Sequence, residues 1–166
     1  MGLQSIGTRF AFRRRRPAGP SITYPMLVPR RVLIADDDLE VRHGVVDCLR
    51  PLGLELHQAE TGDEAVEIVR TQISTRPLHL LVLDMHMPGI TGLEVLAQVS
   101  AIVSRIASVE LPCIFYSGNA ADDVERRALK AGARAFLHKP VEPRVLREEV
   151  VRALGGDLFY ETRPSH

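Results

Sequence analysis

The strongest constraint on the fold of this 166-residue chain is a regular alternation of two hydrophobic patterns. From about residue 30 onward, short apolar runs alternate with longer stretches in which apolar residues recur at helical spacing. Short apolar runs that are connected by helices are typical of a parallel β-sheet covered by helices on both faces. The alternation therefore predicts an α/β fold with five strands and five helices.

The predicted strands differ in how their hydrophobic residues are arranged. In chain order they are Arg31–Ala35, Leu54–His57, Leu78–Leu83, Cys113–Tyr116 and Arg134–His138. The second alternates apolar and polar residues, as an edge strand does, whereas the third is almost continuously apolar, as a central strand is. With right-handed crossovers, this favours a flavodoxin-like (βα)5 doubly wound sheet with strand order 2-1-3-4-5.

Capping residues mark where the predicted helices begin. Asp38 is an N-cap for a first helix over about residues 38–50, and Thr61 has Glu64 three residues later, which is the spacing of a capping box. The fourth helix, over about residues 121–131, has only a small apolar stripe. The residues predicted to face the core from the first helix are Leu39, Val45, Val46 and Leu49.

The zero net charge of the chain conceals a strong asymmetry. Residues 1–31 contain seven arginines and no acidic residue, so the remainder carries a net charge of −7. Because Arg13–Arg16 is followed by several prolines and has no helix or strand period, residues 1–29 are predicted to be a disordered basic extension. Residues 30–154 form the predicted domain, and residues 155–166 a short C-terminal tail. Nucleic-acid binding by the arginines is a weaker alternative, since no base-reading element accompanies them.

Several other classes of protein are not supported. No apolar stretch approaches the ~20 residues of a membrane span, and no segment resembles a signal peptide, so a cytoplasmic location is expected. Cys48 and Cys113 lie in apolar patterns and are interpreted as small buried hydrophobic residues. Zinc-binding cysteine and histidine spacing is absent.

Polar side chains follow four of the five predicted strands. Asp36 and Asp37 follow the first strand, Asp84 the third, Ser117 the fourth and Lys139 the fifth. Because the carboxyl ends of parallel strands meet at one edge of a sheet, and ligands bind there at the switch point, we expect these five residues to converge.

The chemistry of these groups favours phosphoryl transfer. Three neighbouring carboxylates repel each other unless a cation is present, and Mg²⁺ is the cation that binds one or two carboxylates together with phosphate oxygens. An aspartate such as Asp84 can form an acyl phosphate, while Lys139 and Ser117 can bind the phosphoryl oxygens.

The segments that contain these residues resemble the receiver domain of bacterial two-component response regulators over about residues 30–154. The matching segments, in the order and at the elements typical of that family, are Val32–Asp38, Asp84–Gly92, Ser117–Gly118 and Lys139–Pro140. The resemblance implies that Asp84 is the phospho-acceptor and that Ser117 and Lys139 are the family's hydroxyl and lysine.

The resemblance also implies a metal site and a switch. In the family, Mg²⁺ binds the residues that match Asp36, Asp37 and Asp84 and the backbone carbonyl that matches His86. The residue matching Phe136 is an aromatic switch whose rotamer follows the hydroxyl, although simple core packing is an alternative role for it.

Two further features follow from the resemblance. The peptide bond before Pro140 is usually cis in the family. Positions His86 and Asn119 vary among its members and tune the lifetime of the phosphoryl group.

The sequence therefore predicts a single-domain response regulator, since residues 155–166 are too few for a DNA-binding or enzymatic domain. It would accept a phosphoryl group on Asp84 from a sensor histidine kinase or a histidine phosphotransfer protein. Its fourth helix, fifth strand and fifth helix would then signal to a protein partner, as a monomer or as a phosphorylation-dependent dimer. We expect no catalysis beyond slow hydrolysis of its own phosphate.

Two alternatives stay open. The chain could be a phosphorelay intermediate that passes the phosphate onward. It could also be a Mg²⁺-dependent phosphohydrolase of the haloacid dehalogenase type, because Asp36-Asp37-Asp38 contains an Asp-x-Asp pair after the first strand. That class needs a cap over the substrate and does not account for Ser117 and Lys139.

Overall fold

The computed structural model describes residues 26–106, 110–118 and 122–162. Its strands are β1 (Met26–Pro29), β2 (Arg31–Ala35), β3 (Glu55–Ala59), β4 (Leu80–Leu83), β5 (Cys113–Ser117), β6 (Ala135–His138) and β7 (Phe159–Thr162). Its helices are α1 (Leu39–Leu49), α2 (Gly62–Gln72), α3 (Gly92–Ile106), α4 (Asp122–Lys130) and α5 (Pro143–Ala153), and a 3-10 turn follows α1 at Arg50–Leu52. Within these described ranges, no helix is long and apolar enough to cross a membrane.

The central sheet has five parallel strands in the order β3-β2-β4-β5-β6. In the numbering of the sequence prediction this is the order 2-1-3-4-5, so the flavodoxin-like prediction is confirmed. The half-polar strand β3 is at one edge, where one side of the strand is solvated. The fully buried strand β4 is in the centre, which explains its uninterrupted apolar run.

Two hydrophobic layers hold the helices on the sheet. Successive strand residues point to opposite faces, so Leu33 packs with α2 and α3, whereas Val32 and Ile34 pack with α1 and α5. Both layers are built mainly from aliphatic side chains that are almost completely buried. This two-sided covering keeps the sheet rigid and leaves the ends of its strands free to carry function.

The predicted caps are present, but one predicted core residue is not in the core. Asp38 Oδ1 accepts hydrogen bonds from the backbone N–H groups of Glu40 and Val41 at 2.9 and 3.1 Å. Leu39, which was expected to be buried, is 55% exposed. Its place in the buried stripe of α1 is taken by Arg42, which is aligned with the other core residues of the helix.

The disorder predicted for residues 1–29 is wrong for residues 26–29, which form a strand. The patternless tail predicted for residues 155–166 is wrong for residues 159–162, which pair with that strand. Strands β1 and β7 form an antiparallel ribbon in which Met26 is opposite Thr162 and Pro29 is opposite Phe159. The N–H of Arg30 extends the pairing to the carbonyl of Leu158 at 2.8 Å. Each strand has four residues, too few for a recognisable pattern, and the pairing depends on the domain bringing the two segments together. Residues 1–25 and 163–166 lie outside the described residues.

Candidate functional site

Three of the predicted side chains form a compact ion-pair group at the carboxyl edge of the sheet. Lys139 Nζ lies 2.6 Å from Asp36 Oδ2 and 2.9 Å from Asp84 Oδ1. The three residues follow β6, β2 and β4, and both carboxylates are almost completely buried. Parallel strand direction therefore brings together groups that are more than a hundred residues apart in the case of Asp36 and Lys139.

The backbone at the ends of β2 and β4 continues the hydrogen bonding of the sheet into the site. The N–H of Asp36 donates to the carbonyl of Ala59 at 3.2 Å, and the N–H of Asp84 donates to the carbonyl of Ala35 at 2.8 Å. Because the backbones of Asp36 and Asp84 are hydrogen-bonded to neighbouring strands, the positions of their Cα atoms are fixed.

The loop after Asp84 is packed closely against the first residue of α3. The second carboxylate oxygen of Asp84 accepts a hydrogen bond from the N–H of His86 at 2.6 Å. A Cβ atom added to Gly92 would lie 2.3 Å from the carbonyl oxygen of Asp84, so only glycine fits there. Asp84 is therefore held on both sides, while the side chain of His86 is exposed.

The electrostatic balance of the ion-pair group leaves an excess of negative charge. Burial raises the pKa of Asp36 above its ordinary value, and the charge of Asp84 adds to this effect, against the opposing hydrogen bond from Lys139. For Lys139, burial acts to lower the pKa, but its hydrogen bonds and ion pairs with the two aspartates outweigh burial and raise it. Two carboxylates that share one ammonium group can attract a further cation.

The oxygen donors of this group suit Mg²⁺, although the three predicted acidic residues do not all come together. Asp37 is exposed, outside the ion-pair group. No set of three or more histidine, cysteine, aspartate or glutamate side chains in the described part of the chain is arranged to hold a metal ion. Mg²⁺ nevertheless retains several waters and needs only one or two carboxylates, so the paired oxygens of Asp36 and Asp84 fit its chemistry.

The hydroxyl of Ser117 is completely buried and makes no hydrogen bond in the structure. A buried hydroxyl without a partner is uncommon and calls for an explanation. The backbone of Ser117 is hydrogen-bonded to that of Lys139, whose N–H donates to the carbonyl of Ser117 at 2.9 Å. The hydroxyl is thus free to donate to an anion that binds beside the lysine.

Phe136 is on β6, three residues before Lys139, and its side chain is almost completely buried. Its ring centroid is 6.0 Å from that of Phe115 and 5.2 Å from that of His138.

The Lys139–Pro140 peptide bond is cis, as the resemblance implied.

Two residues at or near the site were missed by the sequence analysis. The buried guanidinium of Arg42 donates a hydrogen bond to the backbone carbonyl of Asp36. The signal was a charged residue at helical spacing with Val45 and Leu49 on the core side of α1. His138, which was expected to be a solvated or helix-lining residue, has its Nε2 atom 3.0 Å from Glu125 Oε2 and so joins β6 to α4. Asn119 lies outside the described residues.

Comparison with known proteins identifies the family. The family model of the response regulator receiver domain matches residues 32–151. The chain belongs to this family. Chemotaxis protein CheY1 of Helicobacter pylori is 32% identical over 75% of this chain and 97% of its own length. The crystal structure of a CheY-like receiver domain protein from Methanospirillum hungatei has a TM-score of 0.66 and 27% identity, covering 78% of this chain and 96% of that one.

Some relatives of this receiver are much longer proteins. A cyclic di-GMP phosphodiesterase of Thermotoga maritima is 30% identical over 81% of this chain, which spans only 34% of that enzyme's length. Receiver domains are signalling modules of two-component systems that bind Mg²⁺ at the phosphorylation site and interact with histidine kinases or phosphotransfer proteins. Family membership thus supports the general function that was predicted, and the roles of individual residues stay predictions.

Proposed function

We propose that this receiver accepts a phosphoryl group on Asp84 from a sensor histidine kinase or a histidine phosphotransfer protein. One observation supports this most strongly. The ammonium group of Lys139 contacts the carboxylates of both Asp36 and Asp84, while the unbonded hydroxyl of Ser117 is buried on the neighbouring strand. An acceptor, a cation and a hydroxyl donor at one edge of a sheet are the groups that an acyl phosphate requires.

In the proposed transfer, a carboxylate oxygen of Asp84 attacks the phosphorus of a phosphohistidine. A P–O bond forms as the P–N bond breaks, and the electron pair of the broken bond stays on the imidazole of the donor protein. Lys139 exchanges its contact with Asp84 for one with a phosphoryl oxygen, and Ser117 donates its hydroxyl hydrogen to another. Both groups then stabilise the negative charge of the phosphoryl oxygens.

Mg²⁺ is the proposed cofactor, with Asp36, Asp37, Asp84 and the backbone carbonyl of His86 as its protein ligands. When bound, it would neutralise charge on the phosphoryl oxygens during transfer. The excess of negative charge at Asp36 and Asp84 favours such a cation, and the exposed Asp37 directly follows Asp36 in the chain.

The proposed output is a change at the surface formed by α4, β6 and α5. Movement of Ser117 toward the phosphoryl group would be transmitted to Phe136 and then to α4, shifting a pre-existing equilibrium between two states. A protein partner would read the new surface, through a monomer or a phosphorylation-dependent dimer. Transfer of the phosphate onward to another histidine is the alternative output.

Phosphorylation of the full chain with acetyl phosphate and Mg²⁺ tests the acceptor assignment. Intact-mass and peptide mass spectrometry should detect one phosphoryl group on Asp84, because Asp84 matches the phospho-acceptor of the family and its carboxylate contacts Lys139. Asp84→Asn should remain unlabelled, whereas the exposed control Asp47→Asn should be labelled like the parent. Equal labelling of Asp84→Asn and the parent would refute the assignment.

A further inference from the structure

Arg42 is a charged residue at a buried position of α1, and its burial needs an explanation. Its guanidinium is buried in the core stripe of α1, where Val45 and Leu49 are the neighbouring buried residues. Burying an arginine is costly unless its donors are satisfied. An apolar residue would suit this stripe better, so the guanidinium must stabilise something specific.

That target is the backbone carbonyl of Asp36, to which Arg42 Nη1 donates a hydrogen bond. This carbonyl is at the bend where the chain leaves β2, just beyond the strand residues that pair with β3 and β4. A carbonyl at such a position loses its ladder partners and needs another donor when it is buried. Arg42 supplies that donor from α1, the helix that follows β2.

With this contact, every polar group of Asp36 is engaged. Its N–H donates to Ala59, its Oδ1 accepts from the N–H of Asp38 at 3.0 Å, and its Oδ2 accepts from Lys139. The peptide between Asp36 and Asp37 therefore has a single orientation.

Asp37 depends on that orientation. Its side chain is exposed and lies outside the ion-pair group, so the backbone fixes the point from which its carboxylate can reach a cation.

We infer that Arg42 is a positioning residue that holds the Asp36–Asp37 peptide where the Asp37 carboxylate can reach a cation bound beside Asp36 and Asp84. This inference rests on the proposed phosphorylation of Asp84 with Mg²⁺. Arg42 acts on the carbonyl of Asp36 and touches neither substrate nor metal.

The test compares three variants of the full chain in their binding of Mg²⁺ alone, without a phosphodonor. Amide chemical shifts at residues 36–38 are followed by NMR as Mg²⁺ is added. Arg42→Met removes the donor and should bind Mg²⁺ about tenfold more weakly. Arg42→Lys keeps the charge but not the planar geometry, and should bind about threefold more weakly.

Arg31→Met is the matched control. Arg31 is another buried arginine whose guanidinium donates to a backbone carbonyl, that of Pro77, but it is at the opposite end of β2. Its loss should destabilise the fold and leave Mg²⁺ affinity equal to that of the parent. At saturating Mg²⁺, acetyl phosphate should label Asp84 in all folded variants at the parental rate, because Arg42 acts on metal affinity and not on the transfer itself.

The outcomes separate this inference from the proposed function. If the parent is labelled on Asp84 and Arg42→Met binds Mg²⁺ with parental affinity, the positioning role is overturned and the proposed function stands. If Arg42→Met does not fold, parental affinity in Arg42→Lys overturns the role equally. If labelling stays slow at saturating Mg²⁺, Arg42 acts on the transfer and the inference is wrong. If the parent is not labelled, both proposals fail.

Discussion

Single residues at the carboxyl edge are placed for function at some expense to stability. Asp36 is buried beside Asp84, and the two share one ammonium group from Lys139. Burial raises the pKa of Asp36, which means that the folded protein favours its protonated form. Protonation of Asp36 therefore stabilises the fold below its unfolded pKa of 3.8, and this stabilisation is lost as the pH rises through the folded value.

Asp36→Asn should consequently be more stable than the parent at pH 7, by about 1 kcal/mol, because asparagine carries no charge to bury. The difference should shrink toward zero below pH 3.8, where the parent is protonated in both states. Urea unfolding of both proteins at several pH values measures it. Asp47→Asn, an exposed substitution on α1, should show no such trend. A parent that is more stable than Asp36→Asn at pH 7 would contradict this account.

Among the elements of the fold, α4 is held by few contacts. Ala128 is its one fully buried side chain among the described residues of the helix, and Val124 is only half-buried. Leu129, the helix's larger apolar residue, is 45% exposed. The partly exposed Glu125–His138 contact at 3.0 Å is a polar link between the helix and β6. Elements with little buried apolar surface are the ones that open or shift most easily.

Beryllofluoride, a mimic of the bound phosphoryl group, should change hydrogen exchange more over residues 122–138 than over α2. Glu125→Gln weakens the contact between α4 and β6, so it should raise exchange in α4 without any mimic. Glu67→Gln, which breaks an ion pair within α2, should leave α4 unchanged. Exchange is measured by mass spectrometry. An α4 that responds to neither the mimic nor Glu125→Gln would show that this helix is not the mobile element.

The whole molecule keeps its site and its terminal ribbon at opposite ends of the sheet. Strand β1 leads through Arg30 into the beginning of β2, whereas Asp36 follows the end of β2. The ribbon joins the two ends of the described chain, and it adds no residue to the ion-pair group. We therefore expect its loss to affect stability and not phosphorylation.

Removal of residues 1–25 should leave the ribbon, the unfolding free energy and the labelling of Asp84 unchanged. Removal of residues 1–29 deletes β1, exposes the edge of β7 and should lower the unfolding free energy by about 1 kcal/mol, as expected for a short two-stranded ribbon. Urea unfolding and acetyl phosphate labelling of the two truncated chains measure these effects. Loss of labelling after removal of residues 1–25 would mean that the extension takes part in the site.

Much of the fold and of the site follows from local patterns. The apolar runs of β2, β4 and β5 and the half-polar β3 are visible in the sequence. Right-handed crossovers and the edge position that suits a half-polar strand then favour one strand order. That order places the ends of β2, β4 and β6 at the same edge of the sheet, which is why the meeting of Asp36, Asp84 and Lys139 could be predicted.

The remaining features depend on which distant residues meet, and no local period encodes that. The hydroxyl of Ser117, at the end of β5, is buried without a partner in the folded protein, where β4 and β6 flank its strand. Three other contacts also join separate elements. They are the hydrogen bond from Arg42 to the carbonyl of Asp36, the Glu125–His138 contact and the pairing of β1 with β7. The sequence by itself determined the elements, their order and the edge where the acids and the lysine meet. The tertiary structure alone decided which polar groups pair there, because pairing depends on distances between side chains that the chain brings together only when it folds.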